Sequence, residues 1–190
     1  MRAKEIAQRL STRAREAGFV QNSEHLVGQV LRLLVALRPS GRYLELGTGV
    51  GAGLVWLVSA LGADGQVVTV ELEAELQALA REEVGEDDRL SWVLEDGSAW
   101  LRTAADQAGT FDGVFADTWP GKYHDRDLAM SLIKPGGWYL IDDLYPQPGW
   151  PDGHQANVDI LMAELGELES WTTELLHVGS GVMLCIKGEG

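Results

Sequence analysis

The spacing of apolar and polar positions changes along the chain. In residues 2–17 apolar side chains recur about once per helical turn among charged ones, which predicts an amphipathic helix. A second helix, capped by Asn22 or Ser23, is predicted to run to about Leu37. It ends there because a Pro-Ser-Gly segment at 39–41 interrupts the chain.

Beyond this point, short apolar runs rich in β-branched residues alternate with helical segments. This alternation predicts βαβ units and therefore an α/β fold. We expect a mostly parallel seven-stranded sheet, helices on both faces and a C-terminal antiparallel hairpin. We also expect a single domain over 1–190, with N-terminal helices in 1–40 and the sheet in 41–190. The predicted strands are Tyr43–Leu46, Gln66–Glu71, Leu90–Leu94, Phe111–Ala116, Trp138–Ile141, Trp171–Val178 and Val182–Lys187. The predicted helices between them cover 52–61, 73–84, 99–108, 125–133 and 152–168.

Composition narrows the classes of partner. The 190 residues suffice for one domain with its own core. Asp and Glu number 29 against 15 Lys and Arg, and the net charge of −14 repels nucleic acid and anionic membranes. We therefore expect a small-molecule substrate, and homodimer formation is left open. The N-terminus lacks an apolar signal core, so a cytoplasmic location is the default. The single cysteine, Cys185, lies in an apolar run that predicts burial.

A glycine-rich loop follows the first predicted strand, at the strand end where parallel sheets bind ligands. Gly47, Gly49 and Gly51 allow a sharp turn and a close ligand, although glycines also serve purely structural turns. Their spacing differs from the G-x-G-x-x-G pattern of nicotinamide cofactors. The carboxylate of Glu45 disfavours a nearby pyrophosphate and favours a cationic group such as a sulfonium. The loop therefore predicts a nucleoside that carries a cation.

Acidic residues also follow the second and third strands. Glu71 lies 22 residues after Gly49, near the spacing at which an acid binds ribose hydroxyls; the alternative is an exposed glutamate at a helix start. After the third strand, Asp96 can accept from an exocyclic amine and Ser98 can reach a ring nitrogen of a base. Either residue can instead cap the helix that begins near Ala99, so both interpretations stay open.

Three aspartates follow the fourth and fifth strands. Asp117, Asp142 and Asp143 are expected to converge, because the ends of neighbouring parallel strands meet at one edge of the sheet. Like charges so close repel, and an all-oxygen set favours a divalent cation such as Mg²⁺ or Mn²⁺, or Ca²⁺. The alternative is that one residue of the 142–143 pair turns the loop that leads to Pro146.

Aromatic residues fall near the same predicted edge. Trp119, Tyr145 and Trp150, together with Trp138, are candidates to line a pocket for a planar aromatic acceptor. The alternative is that they belong to the core or to the rim of the molecule, as aromatic side chains more often do.

Together these motifs resemble the class I S-adenosylmethionine-dependent methyltransferases, above all the small O-methyltransferases of the catechol and caffeoyl-CoA type. The similarity runs from about Ser23 to the C-terminus, and its most specific element is the glycine loop at 43–51. Val70-Glu71 and the segments 95–98, 115–119 and 140–143 add to it. It implies a Rossmann-like methyltransferase fold in 41–190 that binds S-adenosylmethionine. The implied cofactor-binding residues are Glu45, Gly47, Thr48, Gly49, Gly51, Glu71, Leu72, Asp96, Gly97, Ser98, Asp117 and Trp119.

The resemblance also implies a mechanism. The sulfonium methyl is already activated, so the enzyme has mainly to align an acceptor oxygen for in-line attack. In metal-dependent members a cation binds two neighbouring hydroxyls, and a lysine near the fourth strand acts as the general base. Lys122 is the nearest candidate for that base, and His124 and His154 are alternatives. This sequence has Asp142-Asp143 where the family usually has Asp-Asn, and its lysine lies further from Asp117 than usual.

Three other functions remain as alternatives. A metal-independent methyltransferase for another small acceptor shares every motif except the three aspartates. A non-catalytic cofactor-binding protein is compatible with the unusual spacing of Lys122. A nicotinamide-dependent oxidoreductase fits the alternating fold but not the glycine spacing or the predicted closing hairpin.

Overall fold

The computed structural model describes residues 3–16, 23–147 and 150–189, so the predicted cap at Asn22 lies outside the described residues. The helices are α1 (Ala3–Glu16), α2 (His25–Leu37), α3 (Ala52–Ala60), α4 (Ala74–Val84), α5 (Gly97–Thr103), α6 (Arg126–Ser131) and α7 (His154–Gly166), and Ala104–Gln107 forms a 3₁₀ turn. The strands are β1 (Arg42–Leu46), β2 (Gln66–Glu71), β3 (Leu90–Leu94), β4 (Phe111–Ala116), β5 (Ile133–Ile141), β6 (Trp171–Leu176) and β7 (Val182–Lys187).

The strands form one seven-stranded sheet in the order β3-β2-β1-β4-β5-β7-β6. The first five strands pair in parallel, while β7 runs antiparallel to both β5 and β6. The predicted α/β fold with its closing hairpin is therefore confirmed. The strand order reverses direction between β1 and β4, and such a switch point opens a crevice at the carboxyl ends of the strands.

Helices cover both faces of the sheet because its strands carry apolar residues on both sides. In β4, Val114 packs into the cluster on one face, and the next residue, Phe115, packs into the cluster on the other. Helices α5 to α7 contribute buried residues such as Leu101 to the first cluster. Helices α1 to α3 contribute residues such as Leu10 and Leu54 to the second. The N-terminal helices thus complete one face of the sheet, and none of the described helices is long and apolar enough to cross a membrane.

Two predicted boundaries differ from the structure by five residues each. The helix expected at 99–108 ends at Thr103 and continues only as the 3₁₀ turn. The fifth strand begins at Ile133, five residues before the predicted Trp138, because Ile133 pairs with Phe111 across a register shift in the ladder. A proline and two glycines lie within this irregular stretch, where a bulge tolerates them in a strand.

Candidate active site

A cleft of about 330 Å³ lies at the carboxyl ends of β1, β2, β4 and β5. Its walls come from the loops after these strands and from the segment that leads into α7. The N-terminal part of the chain reaches it through Ser23. The cleft therefore lies at the switch point that the topology provides.

The backbone of the glycine loop adopts a conformation that residues with a side chain disfavour. Gly47, Gly49 and Gly51 have φ values of +89°, +53° and +90°, in the left-handed region that glycine adopts without steric cost. The amides of Gly47 and Thr48 both donate to the carbonyl of Val70, at 3.0 and 3.2 Å. The loop is thereby fastened to the end of β2, and its backbone lines the cleft.

Glu71 holds this loop from the end of β2. Its Oε2 accepts from the amide of Gly49 at 2.7 Å, and its Oε1 accepts from the amides of Leu72 and Glu73 at 2.9 Å each. The residue is 8% exposed and lines the cleft, so the alternative of an exposed helix-start glutamate is wrong. Leu72 lines the cleft too, as predicted for a cofactor contact, and ribose binding by Glu71 stays a prediction.

Glu45 is buried beneath the loop and is not among the cleft-lining residues. Its Oε2 accepts from the Thr69 hydroxyl at 2.6 Å, and this hydroxyl lies 2.5 Å from that of Thr48. Oε1 is buried and has no hydrogen-bond partner. Burial raises the pKa of Glu45 to about 8, with a further increase from the charge of Glu71. The negative charge used in the sequence argument for a cationic ligand is therefore largely absent at neutral pH, which corrects that argument.

The segment after β3 caps a helix. Asp96 is the N-cap of α5 and accepts from the amide of Ala99 at 2.9 Å. Of the two interpretations that the sequence left open, this capping role is the one observed. Asp96, Gly97 and Ser98 are not among the residues that line the cleft, so their contact with a base stays a prediction.

Lys122 reaches the strand ends although it lies five positions after Asp117. The loop curls because the carbonyl of Trp119 accepts from the amides of Lys122, Tyr123 and His124. Lys122 is 5% exposed, and its Nζ donates to the main-chain carbonyl of Asp142 and, at 3.3 Å, to that of Asp143.

The three predicted metal-ligating aspartates lie near this ammonium group, but within the described residues none of their carboxylates forms an ion pair with it. Asp142 is buried, and its Oδ1 accepts from the Ser180 hydroxyl and from the amide of Asp143 at 2.7 Å, while its Oδ2 has no partner. Asp117 Oδ2 accepts from the Ser23 hydroxyl at 2.7 Å. Sequence reasoning singled out Ser23 only as a helix cap and missed Ser180, because both depend on packing between segments distant in sequence.

Burial and mutual repulsion shift the ionisation of this group. Burial, reinforced by the charges of the other two aspartates, raises the pKa of Asp117 well above its usual range. Burial and the charge of Asp143 raise the pKa of Asp142 to about 6, against its bond from Ser180. Burial lowers the pKa of Lys122, and the three carboxylates oppose that shift. Burial and repulsion therefore favour the protonated form of the Asp117 and Asp142 carboxyls.

The oxygens of these side chains are only partly engaged in hydrogen bonds. Oδ2 of Asp117 and Oδ1 of Asp142 accept hydrogen bonds, whereas Oδ2 of Asp142 is buried without a partner and would be free for a divalent cation, which takes roughly six oxygen ligands. Within the described residues no three or more His, Cys, Asp or Glu side chains are grouped so as to hold a metal ion. Asp117 and Asp143 line the cleft nevertheless, and metal binding by the three aspartates stays a prediction.

Aromatic rings form another part of the cleft wall. His154 has ring centroids of Trp119, Tyr123 and Trp150 at 5.7, 5.4 and 4.6 Å, and all four residues line the cleft. Trp119 is half exposed. We call these four residues the aromatic wall. The sequence analysis missed Tyr123, although it directly follows Lys122 in the same loop.

The other predicted aromatics lie elsewhere. Trp138 is buried and stacks on Tyr43 at 5.6 Å, and Tyr145 stacks on His177. For these two, the alternative of a core or rim position is the one observed. His124, one of the alternative bases, is exposed and is not among the cleft-lining residues.

His154 is the histidine that faces the cleft. It is 7% exposed, and its Nε2 lies 3.2 Å from the hydroxyl of Tyr123. Burial lowers the pKa of His154, and the charge of Lys122 lowers it further. The imidazole is therefore neutral at neutral pH and able to accept a proton.

The strand order, the glycine loop and the cleft at the switch point define a Rossmann-like methyltransferase fold. The chain belongs to the O-methyltransferase family, whose sequence profile matches residues 8–187. This confirms the resemblance drawn from the sequence motifs, including the small O-methyltransferase type.

Individual relatives of the chain are also described as O-methyltransferases. A putative O-methyltransferase of Mycobacterium avium is 28% identical over 172 residues, 85% of this chain and 76% of that protein. The crystal structure of the O-methyltransferase TomG from Streptomyces achromogenes, involved in tomaymycin synthesis and in complex with SAM, superposes with a TM-score of 0.82 at 26% identity, covering 97% and 90% of the two chains. An O-methyltransferase from Bacillus cereus in complex with SAH shares the fold with a TM-score of 0.82 at 20% identity, covering 96% and 90%.

Proposed function

We propose that this O-methyltransferase transfers the methyl group of S-adenosylmethionine to a hydroxyl of a small aromatic acceptor. The observation that carries the proposal is the continuity of one cleft from the glycine loop to the aromatic wall. The complex of the related TomG with SAM supports the choice of donor. A flat acceptor can stack on rings such as Trp119, and its hydroxyl then lies near the strand ends.

The residues present fit the donor. The backbone at Gly47 and Gly49 leaves room for it, Thr48 lines the same wall, and Glu71 can exchange its amide partners for ribose hydroxyls. When bound, S-adenosylmethionine supplies a methyl group that is already activated towards nucleophiles. The chain mainly has to hold the acceptor in line and exclude water, a contribution that can be worth several orders of magnitude in rate.

The acceptor oxygen must also lose its proton. We propose that the acceptor hydroxyl attacks the methyl carbon while its proton passes to Nε2 of His154. The imidazole is neutral, and its Nε2 takes this proton in exchange for its present hydrogen bond with the Tyr123 hydroxyl. Lys122, the base that the family resemblance implies, lies at the same end of the cleft as a hydrogen-bonded donor. If a divalent cation takes part, Asp117, Asp142 and Asp143 would hold it, and it would favour loss of the acceptor's proton.

Binding and transfer test the proposal separately. Calorimetric titration should show S-adenosylmethionine binding to the wild type and a loss of roughly tenfold or more in affinity for Glu71→Ala, which removes one charged hydrogen-bonding group. Glu75→Ala, an exposed position on α4, is the matched control and should bind as the wild type does. Transfer of a radiolabelled methyl group to a panel of phenols and catechols should follow. Tight binding without transfer to any of them contradicts the enzymatic part.

A further inference from the structure

We propose that two copies of this chain pair through the outer side of α2, with their two α2 helices antiparallel about a two-fold axis. Helix α2 carries apolar side chains on two of its sides. On the inner side, Val27, Leu31 and Val35 are buried in the core. On the outer side lies a second row of apolar residues, which we call the α2 row: Leu26, Val30, Leu33 and Leu37.

A single chain leaves the α2 row largely uncovered. Leu26, Leu33 and Leu37 are 49%, 69% and 83% exposed, and they are three of the seven large hydrophobic side chains that are exposed among the described residues. A helix with apolar residues on two sides is normally buried on both, and a contiguous exposed apolar surface marks an interaction site. The 13 residues of α2 are too few to cross a membrane, so the row is suited to a partner surface.

The spacing of the α2 row is self-complementary. Its successive members lie four, three and four positions apart, which is the spacing of the apolar seam in coiled coils. This spacing reads the same from either end of the helix. When two copies pack antiparallel, Leu26 faces the partner's Leu37 and Val30 faces the partner's Leu33. One surface can thus contact itself, as a two-fold symmetric dimer requires.

Charge favours a second copy in this orientation. Two chains with a net charge of −14 repel each other over most of their surfaces, but α2 contains no Asp or Glu and has one arginine, Arg32. Glu24 precedes the helix, and Arg38, whose side chain is 54% exposed beside Asp112, follows it. Antiparallel packing brings each Glu24 towards the partner's Arg38 and also opposes the two helix dipoles. Parallel packing would place like charges together.

The outer strands extend the apolar surface beside α2. Leu176 of β6 and Leu184 and Ile186 of β7 are partly exposed and pack against the core cluster that contains the inner side of α2. The turn between these strands contacts the helix, since a Cβ at Gly179 would lie 3.1 Å from Cγ2 of Val27. A stable dimer buries about 800 Å² on each partner, more than four side chains supply, and these strands provide further apolar area.

The mass of the protein in solution tests the proposal. Sedimentation velocity should show a dimer for the wild type. Leu33→Glu and Leu37→Glu each place a charge in the buried interface and should raise the dimer dissociation constant by roughly 100-fold or more. Both positions are exposed in a single chain, so the variants should keep the wild-type circular dichroism spectrum. Ile160→Glu is the matched control, because Ile160 is 58% exposed on α7, and it should remain a dimer.

Disulfide trapping tests the orientation. Along one helix, positions 26 and 37 lie about 16 Å apart, so cysteines there can bridge only between chains. The double variant Leu26→Cys with Leu37→Cys should form covalent dimers on oxidation, and neither single variant should do so. The native Cys185 is buried and should not contribute.

Four results would overturn the proposal. One is a wild type that stays monomeric at about 100 µM, where even a weak homodimer forms. Another is a dimer that persists in both Leu33→Glu and Leu37→Glu. Cross-linking of Leu26→Cys alone would show parallel helices. A monomeric wild type that binds phosphatidylcholine vesicles, with binding lost in Leu33→Glu, would assign the α2 row to a membrane surface. These measurements need neither donor nor acceptor, so absence of methyl transfer would count against the proposed function alone.

Discussion

Glu45 binds its proton more tightly in the folded chain than in the unfolded chain. Its pKa rises from an ordinary 4.5 to about 8 on folding because the carboxyl is buried. Below about pH 4.5 the carboxyl is protonated in both the folded and the unfolded chain, and its full contribution to stability is present. This contribution is lost as pH rises from about 4.5 through about 8. We expect Glu45→Gln to abolish this loss. Between about pH 5 and 8, the free energy of unfolding should fall by on the order of 2–4 kcal/mol more in the wild type than in the variant.

Urea denaturation at a series of pH values measures this difference. Glu75→Gln, exposed on α4, serves as the control and should reproduce the wild-type curve. The pKa of Asp142 is also raised, to about 6, so its contribution to stability likewise falls as pH rises. This contribution is common to the wild type and both variants. Parallel curves for the wild type and Glu45→Gln would contradict the prediction.

His154 is expected to determine how kcat depends on pH. A base whose pKa lies below the ordinary 6.5 is already neutral at neutral pH, so kcat should rise with pH only below about 6.5 and stay level above it. His154→Gln should lower kcat by roughly 100-fold and remove the part of the acid limb that belongs to the imidazole. The pH profiles of kcat for the two proteins check this. An unchanged acid limb in the variant would assign it to another group, and Asp142, with a pKa of about 6, would be the first to test.

The loop between β4 and α6 shows how an element positions a side chain. Gly121 and Gly85 have nearly equal φ values of +80° and +79°, but a Cβ at Gly121 would collide with Leu46 whereas nothing lies within 4 Å at Gly85. Alanine at either position carries a conformational cost on the order of 1–3 kcal/mol, because both backbones have a positive φ. Gly121→Ala should lose about 1–3 kcal/mol more through crowding.

Thermal unfolding and methyl transfer separate the two alanine variants. Gly121→Ala should also lower kcat, because Lys122 follows the altered turn, while Gly85→Ala should keep wild-type kcat despite its lower stability. Equal stability losses and equal activities would show that the contact between Gly121 and Leu46 does not hold the loop.

On the scale of the whole molecule, the features that were predicted correctly are those that depend on local residue patterns. The seven strands and the closing hairpin follow from apolar periodicity, and the site at the strand ends follows from parallel topology. The start of β5 at Ile133 was missed because the glycines and the proline indicate a loop until pairing with β4 is known. The place of Lys122 was missed for a similar reason, since it depends on how closely the turn at Gly121 packs on β1.

Ser23 joins the N-terminal part of the molecule to the cleft. Its hydroxyl donates to Asp117 across 94 residues of sequence, and this bond opposes the upward shift in the pKa of Asp117. Removing either partner should destabilise the fold, and the pair should show a coupling energy of about 1 kcal/mol in a double-mutant cycle. The cycle uses Ser23→Ala, Asp117→Asn and the double variant, measured by urea denaturation. Ser131→Ala, whose hydroxyl bonds only to the nearby Leu128 carbonyl, replaces Ser23→Ala in the control cycle and should show no coupling to Asp117. Strictly additive effects of the Ser23 and Asp117 variants would mean that the N-terminal helices cover the sheet without helping to hold the carboxylates of the cleft.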